Sequence, residues 1–299
     1  MSAPPPAIFD RRLYARRRAR AGRSFAAHDF LHRRAMEDVV DRLETVTRNF
    51  PRALFYGVGA LKCALTPACG VGEIIEADLA AGRLSRGAGA ALVFDEERAP
   101  FAPHAFDLIV SLLTLQTAND PVGALAQMRL ALKPDGLLIA VLFGEETLAE
   151  LRAALYESES EIAGGVSPRV APFASVRDLG GALQRAGFAL PVADLDRVRV
   201  RYQTPERLLR DLRGFGETNC LADRGRGLRR DVLAGALERL GPEATATFDL
   251  ITLTAWAPHP GQPKPLKPGS AKRSLAEAVR DANSPARFRS SNRDCSSQS

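Results

Sequence analysis

Between residues 91 and 144, apolar and polar positions fall into a repeated rhythm. The apolar run 91–94 stops at the acidic triple Asp95, Glu96 and Glu97, and the run 106–113 ends in polar residues 116–120. Each has the form of a buried parallel strand that delivers polar groups at its carboxyl end. Beyond Pro121, the positions Leu125, Met128 and Leu132 recur at helical spacing. Lys133-Pro134-Asp135-Gly136 predicts a turn, and 137–143 a further strand. Strand, acid, strand, helix, turn, strand is the pattern of an open α/β sheet that binds a ligand along its strand ends.

The flanking sequence extends this pattern in both directions. Met36, Val39, Val40, Leu43 and Val46 form a helical stripe that should end at Asn49-Phe50-Pro51, because Pro51 disfavours helix at Phe50. A strand over 52–56 then runs into Gly57-Val58-Gly59, where backbone can approach a nucleotide-like ligand closely. Pro67 and two glycines predict only a short or irregular helix over 61–72. A second strand over 73–77 ends at Asp78. An acid about twenty residues past the glycine turn can hold a ribose by both hydroxyls, so Asp78 is the candidate, with Glu76 as the alternative. The glycine-rich stretch 82–89 cannot sustain a long helix.

Further on, Thr147-Leu148-Ala149-Glu150 and Ser175-Val176-Arg177-Asp178 both read as capping boxes that open helices, and Gly187 stops the second. Between them, the Pro-containing segment 164–173 reads as a substrate lid over the strand ends. Strict alternation over 197–202 predicts a half-exposed strand. Helices follow from Thr204-Pro205-Glu206 and over 229–240, and 247–256 completes the sheet.

Composition narrows the class. The chain has 299 residues, is 45% hydrophobic, and carries a net charge of +6, enough apolar sequence for one large domain with additions. No run of 18 apolar residues crosses a membrane. The opening MSAPPPAIFD has no apolar core region and carries Asp10, which argues against a secretory signal and for the cytoplasm. Cys63, Cys69, Cys220 and Cys295 follow no metal-ligand spacing and read as reduced thiols. No metal site is expected. The positive excess is concentrated at Arg11, Arg12, Arg16, Arg17, Arg18, Arg20 and Arg23 and again at Lys264, Lys267, Lys272 and Arg273. A basic arm of this kind can engage an acidic partner or simply be a solvated helix; nucleic acid is the less favoured partner. Three parts result: an arm and helix over 1–48, a domain over 49–257, and a basic, Pro-rich tail over 258–299 expected to be mostly disordered.

Taken together, these residues resemble a class I S-adenosylmethionine-dependent methyltransferase. Within that superfamily they resemble the bacterial relatives of the mitochondrial complex I assembly factors described as arginine hydroxylases, and the malonyl-carrier methyltransferases of biotin synthesis. The resemblance runs from Ile8-Phe9-Asp10-Arg11 to about Ala276 and includes Pro100-Phe101, Phe106-Asp107-Leu108, Asn119-Asp120 and the loop Gly164-Gly165-Val166-Ser167-Pro168-Arg169. It implies a three-layer, doubly wound, mostly parallel seven-stranded sheet of Rossmann-like form, with a helical N-terminal arm and inserted helices. It also implies S-adenosylmethionine as cofactor. Gly57 and Gly59 would lie at its methionine end, Asp78 at the ribose, and Asp95 with Glu96 at the adenine; the residues name no catalytic group. Three departures stand out: Phe55 replaces the acid usual two residues before the first glycine, Leu61 replaces the third glycine, and Gln116-Thr117 stands where relatives often have His-Trp before Asn-Asp.

Three functions follow. The first is methyl transfer to a protein or small-molecule acceptor. The second, implied by the narrower resemblance, is modification of an arginine on a quinone-oxidoreductase subunit during respiratory complex I assembly. The third is a degenerate methyltransferase fold that uses its arm for docking, which Phe55 and Leu61 favour.

Overall fold

Asp10 opens the first helix, α1 (Arg11–Ala21), by accepting a 2.9 Å hydrogen bond from the backbone of Leu13, which satisfies one of the helix's orphan N–H groups. The computed structural model describes residues 7–85, 87, 89–225 and 227–263. After α2 (Phe30–Thr45) come four strands joined by short 3-10 turns, β1 (Phe50–Tyr56), β2 (Val71–Asp78), β3 (Ala91–Val93) and β4 (Phe106–Leu112), then α3 (Pro121–Ala131) and β5 (Leu132–Phe143). The chain continues through α4 (Ala149–Ala163), α5 (Val176–Arg185), β6 (Ala189–Arg201), α6 (Pro205–Gly214), α7 (Arg230–Leu240) and β7 (Thr245–Trp256).

The strands form a seven-stranded sheet in the order β3-β2-β1-β4-β5-β7-β6. Pairing is parallel from β3 through β5, while β7 runs antiparallel to both β5 and β6. This is the expected doubly wound, mostly parallel α/β sheet. Its chain order reverses beside β1, so the carboxyl ends of β1, β2, β3 and β4 meet along one edge, where such sheets bind ligands.

The period-2 geometry of the strands builds two cores. Phe55, Leu108, Val110 and Ile139 face one layer with Leu31, Met36 and Leu43 of α2, Leu151 of α4 and Leu208 of α6. Leu54, Tyr56, Ile109 and Leu138 face the other with Leu125 and Met128 of α3 and Leu179 and Leu183 of α5. The irregular stretch after Gly57 appears as two short 3-10 turns, Gly59–Ala64 and Pro67–Cys69, in place of a full helix, as Pro67 and the glycines require.

Four local expectations are corrected. The run 91–94, read as buried, contributes only β3, whose three residues are all exposed; it is an edge strand paired on one side by β2. Residues 133–136 do not make a separate turn: β5 is continuous from Leu132, with Asp135 at φ 64° and a register shift opposite Phe106 and Leu108. The strand read over 197–202 extends back to Ala189, because β7 supplies a partner along its whole length.

The Thr147–Glu150 capping box does not form either. Leu148 occupies the cap position of α4 at φ 59°. Thr147 Oγ1 instead accepts from the Asp249 amide (3.1 Å), and a Glu150 carboxylate oxygen accepts from the Thr247 amide (2.9 Å). A long-range tie to β7 outcompetes the local one. The other box is present: Ser175 Oγ accepts from the Asp178 amide at 3.2 Å.

The chain divides after His259 into two units, and the described residues of the second are 260–263. The disorder expected for the tail, the lysines from Lys264 onward and Cys295 therefore lie mostly outside the described residues. Among the described residues, no helix is long and apolar enough to cross a membrane, and no cluster of His, Cys, Asp and Glu could hold a metal.

Candidate functional site

Parallel pairing places the predicted residues on one sheet edge. Gly57 follows β1, Asp78 ends β2, and Asp95 and Glu96 follow β3. Gly57 and Gly59 have φ of 76° and 55°, the left-handed region that favours glycine. A Cβ at Gly57 would stand 2.6 Å from the carbonyl oxygen of Leu112, and one at Gly59 2.6 Å from that of Arg83. In this fold the close approach these glycines permit is to the chain's own backbone. Glu76, the alternative to Asp78, points elsewhere: it takes hydrogen bonds from Lys62 and from the backbone and hydroxyl of Ser85.

The acids are already partnered. α1 lies across the strand ends and presents Arg11, Tyr14 and Arg18 on one face, the i, i+3, i+7 spacing of adjacent turns. Arg18 donates from Nη2 to Asp78 Oδ2 at 2.6 Å and from Nε to Oδ1 at 3.1 Å, and its side chain is fully buried. The Ala80 amide donates to Asp78 Oδ1 as well, at 2.9 Å. Arg11 donates to both oxygens of Asp95, at 2.8 and 3.3 Å, and its Nη2 lies 3.0 Å from Glu96 Oε2. Its Nη1 reaches Thr117 Oγ1 at 2.6 Å. Tyr14 donates to Glu217 Oε1 at 2.7 Å, which also sits 3.5 Å from Arg18 Nη1. Two-pronged guanidinium–carboxylate pairs of this kind are the strong form of charge-assisted hydrogen bond.

Electrostatics follow from this burial. Desolvation raises the pKa of Glu96, against the pull of Arg11, and raises that of Glu217, against the pull of Arg18. Arg83 is a third guanidinium in the cluster. It stacks over the Phe25 ring, its buried Nη1 has no hydrogen-bond partner, and burial together with the charge of Arg18 pushes its pKa down to about 9. It stays cationic at neutral pH; the depression reports how strongly the pocket disfavours another positive charge.

The arm is anchored at its start. Phe9 forms a single antiparallel bridge with Leu221, and its backbone N–H and C=O both meet the Asn119 side chain, at 2.8 and 3.2 Å. At its far end the backbone of Gly22 packs on Gly82, so closely that a Cβ at Gly22 would stand 2.1 Å from the Gly82 oxygen.

Beside the acids lies a cavity of about 460 Å³. Leu148, Leu151 and Leu155 of the α4 region, Phe173 of the segment 164–173, and Leu209 and Leu212 of α6 make its apolar wall. Arg17, Thr117, Arg213, Glu217 and Asn219 supply polar groups, and a buried Nη1 of Arg17 has no hydrogen-bond partner. Thr117 and Glu217 touch both compartments. Of the segment 164–173, Arg169, Val170, Ala171 and Phe173 line this cavity, and Arg169 pairs with Glu159.

The sequence reading missed Arg11, Tyr14, Arg18 and Glu217. The 11, 14, 18 spacing was a usable signal, but in a segment with arginines on every side it does not single out a buried face. The departure at Phe55 is explained in part: the ring is fully buried in the α2-side core, so that position contributes packing and no charge.

As folded, the arrangement does not fit a nucleoside. Both oxygens of Asp78 and both of Asp95 are taken by arginine, and Asp78 is 1% exposed.

Comparison with known proteins gives the family. Residues 56–140 match the methyltransferase domain family. The chain is 36% identical over 285 residues to the mitochondrial arginine hydroxylase NDUFAF5 of Danio rerio, covering 90% of this chain and 89% of that one. It is 32% identical over 275 residues to the malonyl-[acyl-carrier protein] O-methyltransferase of Laribacter hongkongensis, covering 82% and 89%. The solved structure of the YcgJ protein of Bacillus subtilis shares the fold, with a TM-score of 0.51 at 15% identity over 76% of this chain and 99% of that one. With identity of 32% and 36% sustained over most of both chains, the protein belongs to the same family as the Danio rerio and Laribacter hongkongensis relatives, within the class I S-adenosylmethionine-dependent methyltransferases.

Proposed function

We propose that the chain transfers a methyl group from S-adenosylmethionine to an acceptor held in the cavity beneath residues 164–173. One observation carries the reading: the strand order puts Asp78, Asp95 and Glu96 at neighbouring carboxyl ends, next to a largely apolar cavity that shares Thr117 and Glu217 with them. Adjacent sites for two reactants are what group transfer needs, because alignment supplies most of the rate. On this reading Gly57, Gly59, Asp78, Asp95 and Glu96 face the donor once the arm has left them. The acceptor's body packs on Leu151, Leu155 and Leu212, and Arg17 and Arg213 favour an acceptor with an anionic group. Calorimetric titration with S-adenosylmethionine tests the donor half: binding is expected between micromolar and low-millimolar concentrations, and no heat at any accessible concentration overturns it.

A second reading is favoured by a separate observation. The acid wall accepts guanidinium groups, and here it accepts two from its own chain. An arginine of a partner, such as the respiratory complex I subunit implied by the resemblance, could take the same place. An arginine-containing peptide that competes with α1 would support this role, and a lysine analogue binding equally well would count against it.

A further inference from the structure

We infer that α1 is a resident competitor for the donor site, so that arm docking and nucleoside binding are mutually exclusive states of the same carboxylates. The inference rests on the donor reading above and concerns how that site is regulated. Asp78 and Asp95 are the groups a ribose and an adenine would need, and each has both oxygens bound by an arginine of α1. The competitor is built for the place. Arg18 is fully buried, Tyr14 fills the space between the two arginines and bonds Glu217, and Arg11 reaches across to Thr117. A nucleoside could not add to this arrangement; it would have to replace it.

The anchors indicate how replacement happens. The Gly22–Gly82 contact is backbone on backbone and abuts the turn joining α1 to α2, which makes it the pivot. The opposite end is held by the Phe9–Leu221 bridge, by the Asn119 side chain and by an Asp10–Arg224 ion pair at 3.6 Å, which makes it the latch. Opening the latch swings Arg11 and Arg18 off the acids together. The apparent affinity for a donor is then the intrinsic affinity scaled by the fraction of molecules with the arm released, and whatever favours release raises it by the same factor.

The test uses the full chain in three forms titrated with S-adenosylmethionine by calorimetry, with far-ultraviolet circular dichroism to verify folding. Phe9→Cys with Leu221→Cys, in a Cys220→Ser background, places two thiols at the directly opposed positions of the latch and locks it on oxidation. Arg18→Gln weakens the competitor, and Arg11→Gln does so at a less buried position should the first variant fail to fold. Arg12→Gln, on the exposed face of the helix, is the control. The expected result is binding weakened about tenfold or more in the oxidised lock, restored by reduction, and tightened about tenfold in the weakened arm. Equal affinity in locked and reduced forms overturns the gate and leaves the donor reading standing. Absence of binding in every form overturns both.

Discussion

The acid wall and the cavity beside it lie on the same sheet edge and are built on opposite principles. The wall contains four carboxylates and three guanidinium groups, and two of the guanidinium groups, Arg11 and Arg18, pair with those carboxylates. The cavity keeps its volume open, with leucines and Phe173 on one side and a few polar groups on the other. Buried ions must be paired or the fold loses several kcal/mol, whereas an apolar hollow is tolerated at modest cost. Asp78 and Asp95 already have arginine partners on both oxygens, so ligand entry at those two acids requires an exchange of partners. Entry to the cavity requires none.

The largest expected effect comes from breaking the wall. Asp78→Ala leaves the fully buried Arg18 without its main partner and should lower the unfolding free energy by about 3–5 kcal/mol, read from urea unfolding. A variant as stable as the wild type would mean that the pair is not buried in solution, and the contrast between the two regions would disappear.

The cavity can be tested by filling it. Leu209→Trp should reduce uptake of anilinonaphthalene sulfonate, an apolar probe with an anionic group, by about tenfold, while changing stability by about 1–3 kcal/mol. Unchanged fluorescence would show that the probe, and by extension an acceptor, binds elsewhere.

The pH dependence sharpens the comparison, because among the described residues the carboxylates with raised pKa values are Glu96 of the wall and Glu217, which the wall shares with the cavity. Burial lifts Glu96 and Glu217 above the ordinary 4.5. Folded protein therefore holds more protons than unfolded protein in the window above 4.5. Their contribution to stability is full below that value and is lost as pH rises through the folded pKa. Glu96→Gln and Glu217→Gln mimic the protonated forms, so their melting temperatures should improve relative to wild type between pH 4.5 and pH 8. Parallel pH profiles for wild type and variants would place these carboxylates in water.

The smallest effect lies outside both regions. Ser175→Ala removes the side-chain cap of α5 and should cost about 1 kcal/mol in denaturant unfolding without altering ligand binding. A change in binding would couple α5 to a site it does not touch.

Much of this architecture was legible in the order of residues. The helical stripe of α2, the apolar runs of β1, β2, β4 and β7, Pro205 at the start of α6 and the Ser175 cap are each local signals, readable because side-chain period follows backbone period. Asp78, Asp95 and Glu96 were legible as acids at strand ends, Asp78 closing β2 and the other two following β3; Glu217, which follows α6, carried no such signal. The failures came where a distant partner outweighed a local preference. Thr147 and Glu150 had the spacing of a cap and bonded β7 instead, and residues 189–196 became strand because β7 was there to pair with them.

The arm is the clearest case. Its arginines announced charge, and their order along the chain set that charge on an arm ahead of a sheet with acids at its strand ends. That Arg11 and Arg18 turn inward onto Asp95, Glu96 and Asp78, across 60 to 85 residues of chain, follows from the folded sheet alone. Periodicity is a property of neighbours along the chain, while the pairing of buried charges depends on which surfaces the folded sheet brings together, and that information has no local period to read.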